Sequence, residues 1–428
     1  MRYHEPMKTI AIIGGGAAGL AAAVEAGRAA RRLGVPAEIT VYEAADRVGK
    51  SILATGNGRC NLSNSDIRAD AYRSPGFVDA ALRALRPEEV LSLFAELGLC
   101  VREESEGRLY PLANKASSVL DVLRFALAEL GIEQRCKAEA IAVTPVEDRF
   151  LVSFADEGTV FADAAVVACG GSVARSMLPP GYPFAAALPV LGPLETDTAP
   201  IKGLNNIRVK CAASLRGARG DACADVVFDD AGVRARAGGA QHGANALKAR
   251  EVGEVLFREY GVSGIAVFDL SRFAEPGDVL SIDLVPGVSE EELAADIASR
   301  TERFGSRSAV ELLSGMLLAP VARAVLGAAG VRPDGPLSRG ERAKLARAVK
   351  SFELEVRGIG DVRQCQVMRG GIAVDSFGPE TMESRAHPGL FAAGEALDVD
   401  GPCGGFNLHW AWTSGMLAGR SSVRRVAR

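Results

Sequence analysis

Apolar and polar positions along this chain follow three different rhythms, and the changes of rhythm mark its parts. From Ile10 to Ile13 four apolar residues run together, as expected of a strand buried on both faces in a parallel sheet. An Ala-rich helix is predicted from Ala17 to about Leu33, then a second strand from Ala37 to Tyr42 that ends at Glu43. Between Pro87 and Leu97 the residues Val90, Leu91, Leu93, Phe94 and Leu97 take helical spacing, with Pro87 in the first turn and Glu88 and Glu89 favourable to the dipole. A hairpin-like stretch runs from Val101 to Tyr110, and Asn114 to Leu130 is a further amphipathic helix ended by Gly131. Ile132 to Val143 and Arg149 to Phe154 read as a small meander. Ala162 to Cys169 is again a continuous buried strand, closed by Gly170 and Gly171.

From Pro179 to about Val285 the rhythm becomes short and β-like, with runs at Ile207 to Cys211, Asp225 to Phe228, Gly253 to Phe257 and Val279 to Leu284. Ser289, followed by Glu290, Glu291 and Glu292, is a good helix start, and helical spacing continues to Lys350. The opening style returns at the end, with a strand from Gly389 to Ala393 and a helix from His409 to Arg420. The chain therefore reads as an α/β protein. A Rossmann-like nucleotide domain is split between residues 1–187 and 351–428, around a β-rich, barrel-like insert at 188–287 and a helical subdomain at 288–350.

The glycines add chemistry to this pattern. Gly14, Gly16 and Gly19 sit between a strand and a helix in the spacing G-x-G-x-x-G, and Ala17 and Ala18 begin the helix. There the first glycine permits a tight turn, the second a close approach by pyrophosphate, and the third close packing of helix on strand, while the helix start offers free N–H groups. Glu43 follows at the spacing of an acid that binds ribose hydroxyls. Two further clusters carry polar and glycine residues. Asp46 to Asn64 includes Lys50, Asn57, Gly58, Arg59, Cys60 and Asn61, which suit a loop around an anionic or polar ligand. Gly394 to Leu408 includes Glu395, Asp398, Gly405, Phe406 and Asn407, a glycine–acid cluster opening a helix. Gly170 brings backbone to the carboxyl edge of the sheet, where ligands bind in such folds.

Composition narrows the partners. The chain has 428 residues with a net charge of −4, giving no long-range pull toward nucleic acid or anionic membrane. The apolar stretch from Ser308 to Val331 contains Glu311, Pro320 and Arg323 and fits a buried helical pair better than a membrane span. Eight cysteines without a C-x-x-C pair argue against a zinc ribbon, an iron–sulfur cluster or a secreted disulfide framework. A cytoplasmic protein acting on a small molecule, with no resident metal, is the expectation.

With these motifs in view, the chain resembles the BaiN/RdsA-type NAD(P)/FAD-dependent oxidoreductases. The resemblance rests on the Gly14–Gly19 fingerprint with Glu43, the Lys50–Asn61 segment, Gly253–Phe257 followed by Gly261–Gly264, and the run from Gly394 to Asn407. It implies FAD, with NADH or NADPH as a transient reductant. It also implies that Gly14, Gly16 and Gly19 take the pyrophosphate and Glu43 the adenosine ribose. Ala140 would meet adenine through its backbone, and Asn57 to Asn61 would approach the flavin. Glu395 and Asp398 would bind the ribityl or pyrophosphate region, and Gly405, Phe406 and Asn407 the isoalloxazine edge. One departure from the family pattern is the loop from Ser172 to Pro189, rich in proline where members carry glycine and aspartate. It is expected near the active-site entrance.

The flavin performs the electron transfer, so the chain's own task is positioning and proton supply. Arg59 is a candidate for stabilising negative charge on substrate or flavin, and Tyr110, Cys403 or His409 for supplying a proton. Each has a structural alternative, since Arg59 can simply neutralise phosphate and the other three can be packing residues. Reduction of an activated C=C bond is one reaction these features suit. Oxidation of a small amine or alcohol, an NAD-binding dehydrogenase or sensor, and an RNA-modifying flavoprotein are the alternatives.

Overall fold

The apolar runs at the two ends of the chain assemble into one parallel sheet. In this computed structural model, which describes residues 7–217 and 246–428 and the short strands Val227–Phe228 and Arg234–Ala235, five strands build it. They are β1 (Lys8–Ile13), β2 (Ala37–Glu43), β3 (Glu133–Cys136), β4 (Ala164–Val167) and β5 (Leu390–Ala392), in the order β5-β4-β1-β2-β3. Every neighbouring pair is parallel, with Ile12 opposite Val41 on one side and Val166 on the other. Helix α1 (Ala17–Leu33) has the predicted bounds and ends at Gly34, whose φ of 67° places it in the left-handed region.

The C-terminal helix α2 spans Phe406–Val426, starting earlier and ending later than the sequence pattern indicates. It packs on α1 at backbone distance. A Cβ on Gly415 would lie 2.3 Å from the Ala18 carbonyl oxygen, and one on Gly419 would lie 2.1 Å from that of Ala22. Side chains at these two positions would hold the helices apart. The contact is sealed by Glu25, 3% exposed, which accepts from Arg420 Nε at 3.0 Å. Trp410 and Trp412 are buried on the same helix and donate to the Gly394 and Leu62 carbonyls at 3.2 and 3.0 Å.

The residues after Gly131 divide differently from the expected meander. Glu133–Cys136 joins the parallel sheet, and the meander is Ala140–Val146, Arg149–Phe154 and Thr159–Ala162. Ala140 therefore opens an antiparallel strand, opposite Phe154, and is not on the strand directly after Gly131. The proline-rich segment from Ser172 to Pro189 starts in the helix Gly171–Met177 and reaches the strand Phe184–Val190, which pairs with Val367–Ile372. Its Tyr182 hydroxyl hydrogen-bonds Ser384 and His387 Nδ1, the latter at 2.9 Å. Those residues lead into the N-terminal end of β5, while the Pro183 carbonyl accepts from Ala373 N–H, next to the bridge between Ile372 and Leu397.

The chain forms two compact units, residues 1–188 with 367–428, and residues 189–366. The second unit contains a closed six-stranded barrel of Leu194–Thr196, Gly261–Ser263, Leu247–Arg258, Arg208–Arg216, Val279–Asp283 and Phe352–Ile359. The return to the first unit falls at Val367, beyond the residue 351 read from the sequence, because Phe352–Ile359 pairs with Leu194–Thr196 to close the barrel. Helices Glu290–Arg303, Ala309–Leu313, Ala319–Ala328 and Arg339–Lys350 share its core. Ser289 caps the first of them, accepting from Glu292 N–H at 3.1 Å. Of the strand expected at Asp225 to Phe228, only Val227–Phe228 lies within the described residues.

The α1–α2 contact yields a stability prediction. Gly419→Val forces the helices apart and destabilises the fold by about 3 kcal/mol. Urea unfolding followed by tryptophan fluorescence checks it, because both tryptophans lie on α2. An unchanged midpoint would contradict the packing argument.

Candidate functional site

The site is built where three strands end side by side. Beyond β1, Gly14 N–H donates to the Tyr42 carbonyl at 2.8 Å. Past β4, Ala168 N–H reaches Ile13, and past β5 Ala393 N–H reaches Val167, at 2.8 and 2.9 Å. Gly14, Gly170 and Gly394 thus follow neighbouring strands at the same carboxyl edge. Gly14 has φ 104°, and a Cβ there would lie 2.5 Å from the Ala168 oxygen; a Cβ on Gly19 would lie 1.8 Å from the Gly14 oxygen. Only glycine fits at either position. Helix α1 begins at Ala17, after Gly16 at its N-cap, with no side-chain cap and no acid in its first turn, so its first N–H groups stay open for an anion.

Glu43 is fixed by two backbone donors. Its Oε2 accepts from Gly15 N–H at 2.7 Å and its Oε1 from Ala45 N–H at 2.8 Å. Each oxygen keeps a further lone pair, which is what a ribose diol requires. The Lys137 and Ala138 N–H groups donate to the Ala45 and Glu43 carbonyls, at 2.8 and 3.0 Å, closing this end. These two residues, and not Ala140, bring the crossover backbone to the loop after β2.

The segment after Glu43 is anchored by Gly49 N–H on the Gly15 carbonyl at 2.8 Å. Lys50 is exposed and paired with Asp46, in the turn before it, at 2.5 Å. Gly56, Asn57, Gly58 and Cys60 all have left-handed backbone, with φ of 56°, 56°, 80° and 58°. The loop closes on itself, Arg59 N–H donating to Gly56 and Cys60 N–H to Thr55 at 3.2 and 3.0 Å. Arg59 is committed to protein groups. It bonds Asn114 and Glu104, and its guanidinium lies 4.1 Å from the centre of the Tyr110 ring. Arg59 holds the Glu104 carboxyl below the usual range, with Arg102 adding to the effect. Tyr110 is 8% exposed beneath this cation. Cys60 is buried, and burial pushes its thiol up to about 11, far from a nucleophile's range.

The C-terminal cluster meets this loop within the first unit. The Asn61 amide donates to the Ser63 and Leu109 carbonyls at 3.0 and 3.3 Å, and its oxygen accepts from Gly405 N–H at 3.1 Å. Asn407 turns back to bond Gly401 and Pro402, and Tyr72 donates to the Phe406 carbonyl at 2.8 Å. Gly394 N–H donates to Ser414 at 2.9 Å. Asp398 accepts from Gly370 N–H at 3.1 Å and pairs with Arg73 at 3.3 Å. Glu395 is half-buried, and burial raises its carboxyl to about 7 against the lowering effect of a backbone hydrogen bond from Met368, with nearby Asp400 adding to the rise. It therefore exchanges a proton near neutrality. Cys403 is half-buried beside the Gly404–Gly405 turn. His409 is fully buried, its Nδ1 2.8 Å from Ser63 Oγ, and burial lowers it to about 3. A neutral imidazole sealed in the core is poorly suited to the proton-donor role read from the sequence.

The residues that pattern-reading missed are Ser63, Gly415, Gly419 and Glu25. A signal existed for the glycines, because Gly415-x-x-x-Gly419 faces Ala18-x-x-x-Ala22, two small-residue pairs at one-turn spacing. Ser63 carried no sequence signal. Among the described residues no cluster suits a metal ion, and no helix is long and apolar enough to cross a membrane.

An open helix start, glycines with no room for Cβ and a ribose-type acid at one sheet edge define a dinucleotide-binding Rossmann domain. The chain belongs to the family described as HI0933-like protein Rossmann domain, which matches residues 8–421, and the protein is an FAD-dependent oxidoreductase. It is 32% identical to the 3-dehydro-bile acid delta(4,6)-reductase of Clostridium scindens, over 98% of this chain and 100% of that protein. It is 27% identical to the ribosomal RNA dihydrouridine synthase of Escherichia coli, over 94% of this chain and 95% of that protein. The Haemophilus influenzae protein of the same name is 25% identical over 97% of this chain and 98% of its own length.

The buried imidazole sets a pH dependence. From its ordinary 6.5 down to about 3, the unfolded chain protonates at this position while the folded chain does not. His409 thus costs the fold about 1.4 kcal/mol per pH unit as acid is added across that window. The stability difference between His409→Asn and the parent shifts in the variant's favour with that slope from pH 6.5 toward 3, measured by urea unfolding. Parallel curves would contradict the assigned burial.

Proposed function

We propose that the enzyme reduces an activated carbon–carbon double bond of a small molecule, with NADH or NADPH supplying electrons to its FAD. The observation that carries this reading is the end-to-end 32% identity with a protein named as a delta(4,6)-reductase of a 3-dehydro bile acid. The names of the other two relatives point the same way, because a dihydrouridine is a base reduced across a ring double bond beside a carbonyl. When bound, the flavin supplies two-electron transfer.

The chain's residues hold and tune that group in this account. Gly14, Gly16 and Gly19 with the start of α1 take the pyrophosphate, and Glu43 takes the ribose. Glu395 and Asp398 bind the ribityl region, with Gly170 and Gly394 giving room for backbone approach. The start of α2, at Gly405 to Asn407, presents its positive end to the pyrimidine edge. Arg59 acts by fixing Tyr110 and Glu104. Tyr110 and Cys403 are the side chains left for proton delivery.

The test is anaerobic reduction of the purified yellow protein. NADH or NADPH bleaches the flavin band, and an enone then restores it stoichiometrically. A protein bleached by neither nucleotide, or not reoxidised by any enone, would overturn the reading. Glu43→Gln, which puts an NH2 against a backbone donor, weakens FAD binding by about tenfold or more, since hydrogen bonds to charged groups contribute about 1.5–3 kcal/mol. Unchanged FAD affinity would remove Glu43 from the site.

The two synthase relatives favour a second reading, in which the double bond belongs to a uridine in RNA. A chain of net charge −4 offers little of the phosphate neutralisation that RNA binding needs. Binding of a ribosomal RNA fragment, measured between 50 and 200 mM salt, separates the two. The small-molecule reading expects no salt-dependent affinity; a steep inverse salt dependence would support RNA.

A further inference from the structure

The first turn of α2 is held by a chain of buried polar contacts that the flavin chemistry above does not use. Ser63 Oγ and His409 Nδ1 are 2.8 Å apart, and both residues are fully buried. His409 N–H donates to the Gly405 carbonyl at 2.9 Å, the first bond of the helix. The Ser63 carbonyl lies against Gly405, where a Cβ would approach it to 2.2 Å, and it accepts from the Asn61 amide at 3.0 Å. The same amide's oxygen takes the Gly405 N–H at 3.1 Å. Asn61, Ser63, Gly405 and His409 thus close a ring of hydrogen bonds. It joins the Gly58–Asn61 loop to the helix start, while no side chain caps α2.

Nothing else on His409 explains its presence in the core. Its Nε2 is buried without a partner, as is Thr413 Oγ1 one helical turn away. An apolar residue would fill this space without the unsatisfied Nε2, but would take away the imidazole partner of the buried Ser63 hydroxyl. The Ser63 bond is what the imidazole contributes, and that bond spans from the strand Ser63–Asn64 to α2.

We propose that His409 is a positioning residue, which through Ser63 fixes the N-terminal turn of α2 against the Asn61 loop and so sets how strongly that helix end stabilises negative charge on the flavin. The inference rests on the reading that α2 presents its N-terminus to the pyrimidine edge. Helix N-terminal N–H groups act over roughly one turn, so a small displacement of that turn weakens their effect.

The test compares the flavin midpoint potential and FAD dissociation constant of the parent with those of four single variants and one double variant. His409→Leu removes the bond. His409→Gln keeps a polar group but moves it away from the Nδ1 position. His409→Asn keeps an amide close to the Nδ1 position. Ser63→Ala removes the partner hydroxyl with the least disturbance of packing, and keeps the test decisive if His409→Leu does not fold. Expected is a tenfold loss of preference for the reduced over the oxidised flavin in His409→Gln and Ser63→Ala, read as a potential about 30 mV lower for the two-electron couple. His409→Asn returns to within a few-fold of the parent, and the Ser63→Ala/His409→Gln double variant shifts no further than either single one. If FAD binds throughout and the potentials of Ser63→Ala and His409→Gln match the parent, the positioning role is overturned while the flavin reading stands. If the parent binds FAD but variants of Gly405 and Asn407 leave its potential untouched, the reading of α2 fails, and this inference with it.

Discussion

At Gly415 and Gly419 the last helix of the chain touches the backbone of the first, and everything at the ligand edge follows from that contact. Added Cβ atoms would lie 2.3 and 2.1 Å from the Ala18 and Ala22 oxygens, so no larger residue permits the same approach. The consequence is geometric. Helix α1 begins at the Gly14–Gly19 turn and α2 begins at Gly405; seating one on the other brings an N-terminal and a C-terminal ligand cluster to one sheet edge. The buried Glu25–Arg420 pair holds the register of the two helices. Arg28 and Arg32 of α1 also reach the Glu25 carboxylate, at 3.7 and 3.4 Å, so it is neutralised from its own helix as well as from α2.

This arrangement divides labour between rigid and adjustable groups. In the proposed reading backbone fixes the adenosine end: two N–H groups clamp Glu43, and Gly14 and Gly19 leave no space that a side chain would otherwise take. Side chains build the other end. Asn61, Ser63 and His409 tie a left-handed loop to α2, while Arg59 is spent on Glu104, Asn114 and Tyr110. A cation already paired this way acts on a ligand chiefly by shaping its surroundings. Glu395, lifted to about 7, differs in that it changes protonation in the neutral range.

The parts of this account that were legible in the sequence are those where a residue type answers a backbone demand. The β1–α1 turn needs glycines at fixed spacing, Ser289 needs an acid three residues on, and buried parallel strands need unbroken apolar runs; each leaves a local trace. What was not legible depends on partners distant in the chain. Nothing near Phe352–Ile359 signals that it closes a barrel begun at Leu194. Nor does the proline-rich loop carry a sign that Tyr182 binds Ser384 and His387. Arg59 and His409 were noticed for their chemistry, but chemistry depends on burial and pairing. In the fold, one is neutralised by Glu104 and the other is sealed in the core.

The central claim is that the two ends of the chain make a single FAD site, gripping the adenosine half at Gly14–Glu43 and the flavin half at Gly394–Asn407. Calorimetric titration of the flavin-free protein with FAD and with FMN tests it most directly, because FMN lacks the half that the N-terminal segment would hold. The account predicts one FAD per chain and an affinity for FMN weaker by at least a hundredfold, or about 2.7 kcal/mol. Equal affinities for FAD and FMN, or saturation by NAD in place of FAD, would contradict it.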